Sequence, residues 1–278
     1  MNKGFKITLI VLLSIVAIGL SVLLALLINN NFKFDNNFIN IFNGQSNTLV
    51  DSKEYKIDDI IGDIYINSDV ADIYINNSDD NIIKVELYSD NVRNHNIELS
   101  NNDLKIDLED NNKFFFTKQS RIVLYVPKEF NDKFEITDNA GDIKASNFEN
   151  ASFKIKVTTG DVKIDRADVI DVLTTTGDIY NNNVNIINVV CTTGDIELGN
   201  INKSLSLKTT TGDIEIESIN LSENSNIEAT SGDIKISNKN NVYVETKAKF
   251  GDVNVKNNDR FAKITLNIKV TSGDIRVG

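Results

Sequence analysis

Thr175-Thr176-Gly177-Asp178-Ile179 is followed, seventeen residues on, by Thr192-Thr193-Gly194-Asp195-Ile196, and the same block stands earlier as Thr158-Thr159-Gly160-Asp161-Val162. The Gly-Asp pair also occurs at Gly62, Gly141, Gly212, Gly232, Gly251 and Gly273, and from Gly141 onward it returns every 17 to 22 residues. A fixed period of that size marks a solenoid or an array of repeats. Two residues after glycine stand Ile143, Val162, Ile179, Ile196, Ile214, Ile234, Val253 and Ile275. Four after it stand Ala145, Ile164, Leu198, Ile216, Ile236, Val255 and Val277, with Asn181 the polar exception. Seven, five and three before it the pattern repeats, as in Phe153, Ile155 and Val157 or Ile187, Val189 and Cys191. A period of two means strands with one buried face.

Inward parity is odd before the glycine and even after it, so the chain must turn at the Gly-Asp corner. Each repeat therefore reads as two short strands joined there. Glycine supplies positive φ without steric cost, the aspartate is expected to cap its own turn, and the threonines favour extended chain. Outward positions carry a solvated mixture: Lys144, Lys163, Tyr180, Glu197, Glu215, Lys235, Asn254 and Arg276. If successive repeats stack in parallel, corners lie about 4.8 Å apart and each inward Ile or Val contributes ~1.5–3 kcal/mol. Carboxylates at that spacing repel by about 0.9 kcal/mol in water-like dielectric, so burial wins and no bound cation is required. An antiparallel meander would also place the residues three before and two after glycine on one face. Recurrence of like residues in register favours the parallel stack, with neighbours 17–20 residues apart. The expected fold is all-β, a parallel β-solenoid with two short strands per repeat.

Upstream, Ile7 to Ile28 is uncharged and almost wholly apolar. At about 1.5 Å per residue it is long enough to cross a ~30 Å hydrocarbon layer, and Lys3 and Lys6 before it place the N-terminus in the cytoplasm. A cleaved signal peptide is the competing reading, but Ala25-Leu26-Leu27-Ile28 lacks a small-x-small site. The predicted order is a cytoplasmic end at 1–6, a single transmembrane helix at 7–28 and an Asn- and Phe-dotted spacer at 29–47. A repetitive extracytoplasmic β domain then fills 48–278, irregular at 48–130 and regular at 131–278.

Composition narrows the function. Lys and Arg number 29 against 40 Asp and Glu, a net charge of −11, which disfavours duplex nucleic acid because its affinity comes mostly from neutralised phosphates. One His, one Cys, one Pro, one Met and no Trp leave little for catalysis. The single Cys191 cannot form an intrachain disulfide, so packing alone must hold the fold.

The predicted anchor, the irregular first strands, the Tyr125-Val126-Pro127 step and the repeated Thr-(Thr/Ser)-Gly-Asp-(Ile/Val) blocks together resemble a family of bacterial adhesin-like surface proteins of unknown function. The resemblance covers most of residues 50 to 278. It implies a β-solenoid, a location at the cell envelope and, in some members, association with systems that sense envelope stress. It brings no catalytic residues. Lys249-Phe250-Gly251-Asp252 and Asn139-Ala140-Gly141-Asp142 depart from the threonine pattern.

Calcium-binding β-rolls need a Gly-Gly-x-Gly-x-Asp type loop offering six to eight oxygens, and one carboxylate per corner falls short. Glycosidase chemistry needs two carboxyls ~5–9.5 Å apart with one in a shifted environment, and nothing marks one repeat as special. His95, in the loop-like Asn94-His95-Asn96, has no second His or Cys beside it. Cys191 shares the inward column with Val157, Thr174, Thr209, Ala229, Ala248 and Val270, which reads as an inert core thiol. Two features remain as a candidate interaction surface: the run Phe114, Phe115 and Phe116, and outward Leu173 and Val190 near Tyr180. Coverage by a neighbouring segment is the expected fate of both. No catalytic, cofactor or metal residues are assigned. The functional expectation is a non-enzymatic, single-pass envelope protein for adhesion or envelope sensing, with the lipid bilayer as one partner. A cell-wall polymer, a surface glycan or an envelope protein is the expected other partner. The alternative is a carbohydrate-active β-helix enzyme.

Overall fold

The computed structural model of the chain describes residues 45–59, 62–110 and 119–278; the apolar segment 7–28 and Phe114, Phe115 and Phe116 lie outside them. No helix among the described residues is long and apolar enough to cross a membrane. The described chain begins with β1 (Leu49–Lys56), β2 (Ile64–Ser78), β3 (Ile82–Tyr88), β4 (Val92–Ser100), β5 (Asp103–Asp110) and β6 (Ser120–Pro127). The middle holds β7 (Lys133–Ala140), β8 (Ile143–Thr159), β9 (Val162–Thr176), β10 (Ile179–Thr193) and β11 (Ile196–Thr211). The C-terminal part holds β12 (Ile214–Ile219), β13 (Ser225–Ser231), β14 (Ile234–Lys239), β15 (Tyr243–Phe250), β16 (Val253–Val255), β17 (Thr265–Ser272) and β18 (Ile275–Val277).

From β7 onward every pairing is parallel, and like residues meet like. Ile179 lies between Val162 and Ile196, and Val189 between Val172 and Leu207. The columns two and five residues from each glycine thus become ladders of Ile, Val and Leu along the axis of the stack, almost all of them fully buried. At about 1.5–3 kcal/mol per side chain, an upper estimate, these ladders take the place of disulfides. In the early rungs the aromatic set Phe130, Phe134, Phe148 and Phe153 fills the interior, with Phe134 and Phe153 stacked at 4.7 Å.

Two expectations need correction. First, two strands per repeat does not hold in the middle: β8 to β11 each run unbroken from one corner to the next over 15 to 17 residues. In β9 the buried residues are Val162, Ile164, Ala167, Ile170, Val172 and Thr174. The two steps of three mark bends that change which parity faces inward while the hydrogen-bonded ladder continues. A 17-residue coil has no residues to spare for a loop, whereas the longer C-terminal repeats do, and there the coil separates into two strands.

Second, the rungs are not stacked wholly in chain order. β13 and β14 pair with β17 and β18, 41 residues on, and β15 and β16 pair only with β17 and β18 from the other side. The chain passes to the terminal rung first and returns to fill the rung beneath it.

Gly62-Asp63, in the irregular part, stands outside the column of corners. Ala71-Asp72, within β2, occupies the first place in that column, since a Cβ on Gly141 would fall 2.0 Å from the Ala71 carbonyl oxygen. β2 pairs in parallel with β7 and β8 on the regular side and with β5 and β6 on the other. The antiparallel pairs β1–β3, β3–β6 and β4–β5 complete this end.

Candidate interaction surface

The corner accounts for each of its backbone donors. Gly177 N–H donates to the Thr193 carbonyl at 3.1 Å, and Ile179 N–H donates to the Asp195 carbonyl at 2.9 Å. Asp178 N–H is left without a backbone acceptor, and a buried orphan donor is costly. The Asp161 carboxylate below accepts it at 2.8 Å. The same bond recurs through the stack, from Asp142 N–H on Asp72 and Asp161 N–H on Asp142, through Asp195 on Asp178, Asp213 on Asp195 and Asp233 on Asp213, to Asp274 on Asp233 and Asp252 on Asp274. The aspartate therefore bonds the next rung and not its own turn, which corrects the sequence reading. These carboxylates are fastening devices with one oxygen already committed. Among the described residues no group of three His, Cys, Asp or Glu is placed to hold a metal ion.

What remains free is the outward face just before the corner. Four residues before each glycine, in stack order, stand Thr137, Lys156, Leu173, Val190, Lys208, Glu228, Lys269 and Lys247, each registered on the next. Beside this column, two before glycine, runs a second one of Thr158, Thr175, Thr192, Thr210, Thr230 and Thr271, ending in Lys249. The continuous parallel ladder beneath fixes these side chains in a regular array.

Leu173 and Val190 are brought together on adjacent rungs and are about half exposed, at 49% and 47%. No described segment covers them, contrary to expectation, because the bends keep the coil's other segments on other faces. Tyr180 is not part of that pair. It lies past the corner, between Lys163 and Glu197, with its hydroxyl donating to the Asp178 carboxylate at 3.2 Å. Burial, and then that carboxylate, push its phenol up to about 12. Phe114, Phe115 and Phe116 are outside the described residues.

His95 sits in the edge strand β4 rather than in a loop, 3.7 Å from the Asp51 carboxylate. Cys191 is buried, and burial raises its thiol pKa. Asn181 is accommodated inside because its amide donates to the Ile164 carbonyl at 2.9 Å.

Two groups escaped the sequence reading. Asp138 occupies the inward column of Val157, Thr174 and Cys191, 1% exposed, where it accepts a hydrogen bond from Ser68 Oγ. Burial pushes its carboxyl up to about 7, against the hydrogen bonds from Ser68 and the Ala71 and Asn139 backbone. Counting three residues back from Gly141 would have found it. The other group is a groove of about 320 Å³ lined by Lys208, Lys247, Lys249, Lys269, Glu228 and Thr230, among others. It forms only because β17 stands beside β15, so no count along the chain shows it.

A parallel β-solenoid fastened by a carboxylate ladder defines a class of repetitive all-β scaffold. The chain belongs to the Toastrack DUF4097 family, which matches it over residues 61–278. No curated protein matches it. Among solved structures, one described as a "putative lipid binding protein" from Parabacteroides distasonis shares 13% identity at a TM-score of 0.52, covering 84% of this chain and 98% of that one. Another, described as a "putative adhesin" from Bacteroides fragilis, shares 17% identity at a TM-score of 0.49 over 84% and 98% of the two chains. The first likeness supports a common fold and nothing finer.

Proposed function

We propose that the chain is a non-enzymatic, membrane-anchored protein of the cell envelope whose solenoid presents the face before the corner for adhesion or for sensing envelope components. The observation that carries this reading is the outward column itself: an exposed Leu173–Val190 pair between Lys156 and Lys208 on a rigid ladder. Exposed apolar groups rimmed by polar ones mark interaction sites. Segment 7–28 would hold the chain in the bilayer with the solenoid outside. The descriptions of the solved neighbours as adhesin and lipid-binding proteins agree with a binding role.

The test uses the full chain in detergent micelles, incubated with isolated envelope polymers and a glycan panel. A Leu173→Asp/Val190→Asp variant is expected to lose at least tenfold in retention, since burying even one such side chain is worth ~1.5–3 kcal/mol and about 1.4 kcal/mol is a factor of ten. Unchanged retention overturns the assignment of the face. Shortening of a glycan during incubation favours the carbohydrate-active alternative.

A further inference from the structure

The groove at the C-terminal end of the same face has a composition unlike the rest of the molecule. In a chain of net charge −11 it gathers four lysines and one glutamate. Lys269 spends its charge on Glu228 at 3.1 Å. Lys208, Lys247 and Lys249 have no ion-pair partner among the described residues; some outward cations elsewhere are paired, as in Lys154–Glu135, Arg166–Glu149 and Lys203–Glu223, and others such as Lys163 are not, so what distinguishes the groove is that three unpaired lysines converge on it. Lys249 instead lies over the Phe250 ring, 5.4 Å from its centre. The floor is made of the small residues Thr209, Ala229 and Val270, and the wall offers the hydroxyls of Thr230 and Thr271.

Resting on the reading of this face as the binding surface, we propose that the groove binds the phosphates of a linear phosphodiester polymer whose charges are widely spaced. Lysines bind phosphate oxygens as point charges, without the fixed bidentate geometry that arginine's fork imposes, which suits a flexible polyanion that meets them in several poses. Lys208 and Lys247 lie three rungs apart, roughly 14 Å at strand spacing. One phosphate cannot span that distance, and a chain running along the stack axis can. The acidic remainder of the molecule repels a stiff, dense polyanion such as duplex DNA, which carries a charge about every 1.7 Å. A flexible polymer can meet the lysines and leave the acidic faces alone.

The experiment measures fluorescence anisotropy of labelled poly(glycerol phosphate) with the full chain in detergent micelles, at low and high salt. The native chain is expected to bind with an affinity that falls steeply with salt. Lys208→Ala/Lys247→Ala/Lys249→Ala is expected to lose at least tenfold with an unchanged circular dichroism spectrum. Lys163→Ala, an exposed lysine past the corner on a different face, is expected to bind as the native chain does. If the triple variant misfolds, single Lys→Gln changes replace it, each expected to lose two- to threefold. Absence of binding at low salt overturns the proposal, as does an equal loss in Lys163→Ala, which would mean diffuse attraction. Equal or tighter binding of polygalacturonate, duplex DNA or phosphatidylglycerol vesicles also overturns it. Envelope retention that is abolished by Leu173→Asp/Val190→Asp, without any poly(glycerol phosphate) binding, would sink this inference and leave the broader function standing.

Discussion

At Gly177 a methyl group has no room: φ is 142°, and a Cβ would stand 2.0 Å from the Gly160 carbonyl oxygen. Gly177→Ala therefore combines a forbidden conformation with a backbone clash, and the expected loss is more than about 3 kcal/mol in denaturant titration. Its neighbour separates two roles. Asp178→Asn keeps an oxygen for the Asp195 N–H and removes a repelling charge, so its expected cost is under about 1 kcal/mol. Asp178→Ala removes the acceptor of that exposed N–H, and the expected cost is about 1–1.5 kcal/mol. Equal effects of the two changes would mean that the carboxylate ladder is not what fastens the rungs. Asp138 gives a pH dependence. Its carboxyl is raised from 3.8 to about 7 in the fold, so the folded chain holds a proton that the unfolded chain has released across that window. The stability contributed by this group falls as pH rises from about 4 to 7 and is flat above, by at most roughly 4 kcal/mol. Asp138→Asn should remove that slope, seen as a wild-type minus variant difference in melting temperature between pH 4 and 8.

At the scale of elements, the period of the Gly-Asp corner was readable because glycine is forced by a close approach of backbones that recurs in every rung. The inward columns were readable because burial enforces a period of two. Continuity of β8 to β11 was not, since the bends fall between the alternating segments, where parity shifts without any turn residue. Rung order was not readable from the corners, which look alike, yet the terminal rung does carry a mark. Five residues before glycine the column reads Ile155, Val172, Val189, Leu207, Ile227 and Ile268, and then Thr246. Thr246, with Lys249 and Phe250 in place of the corner threonines, is what an end-capping repeat looks like. The lysine groove depends on that order and was hidden with it. The cap has a further device: Asn258 accepts the Val244 N–H and donates to the Val244 carbonyl, both at 2.8 Å, closing part of the outer edge of β15. An open strand edge invites pairing with another chain. Asn258→Ala is expected to speed amide exchange across 243–250 and to raise the self-associated fraction in sedimentation. No change in either would show that the edge is protected by other means.

For the whole molecule, a stack in which each rung touches only its neighbours has a stability that sums over interfaces, and its order of assembly matters. Because β17 and β18 lie beneath β15 and β16, the last residues of the chain form an internal rung and not the end. Truncation after residue 264 therefore removes the platform on which β15 and β16 rest while leaving them in the chain. Truncation after residue 241 removes both rungs and leaves β13 and β14 as a clean edge. Chain length alone predicts that the longer product is the more stable. The rung order predicts the reverse or equality, because 243–264 retains Val244, Phe250 and Phe261 with no rung to pack on. Phe250 and Phe261 are already exposed, and Val244 would join them. Hydrogen exchange followed by mass spectrometry decides it: in the 264 product, amides of 243–255 should exchange as an unfolded chain does, with β8 to β11 still protected. Persistent protection of 243–255 would mean that β15 can stack directly on β13, and that the order is set by assembly rather than by the packing of β17.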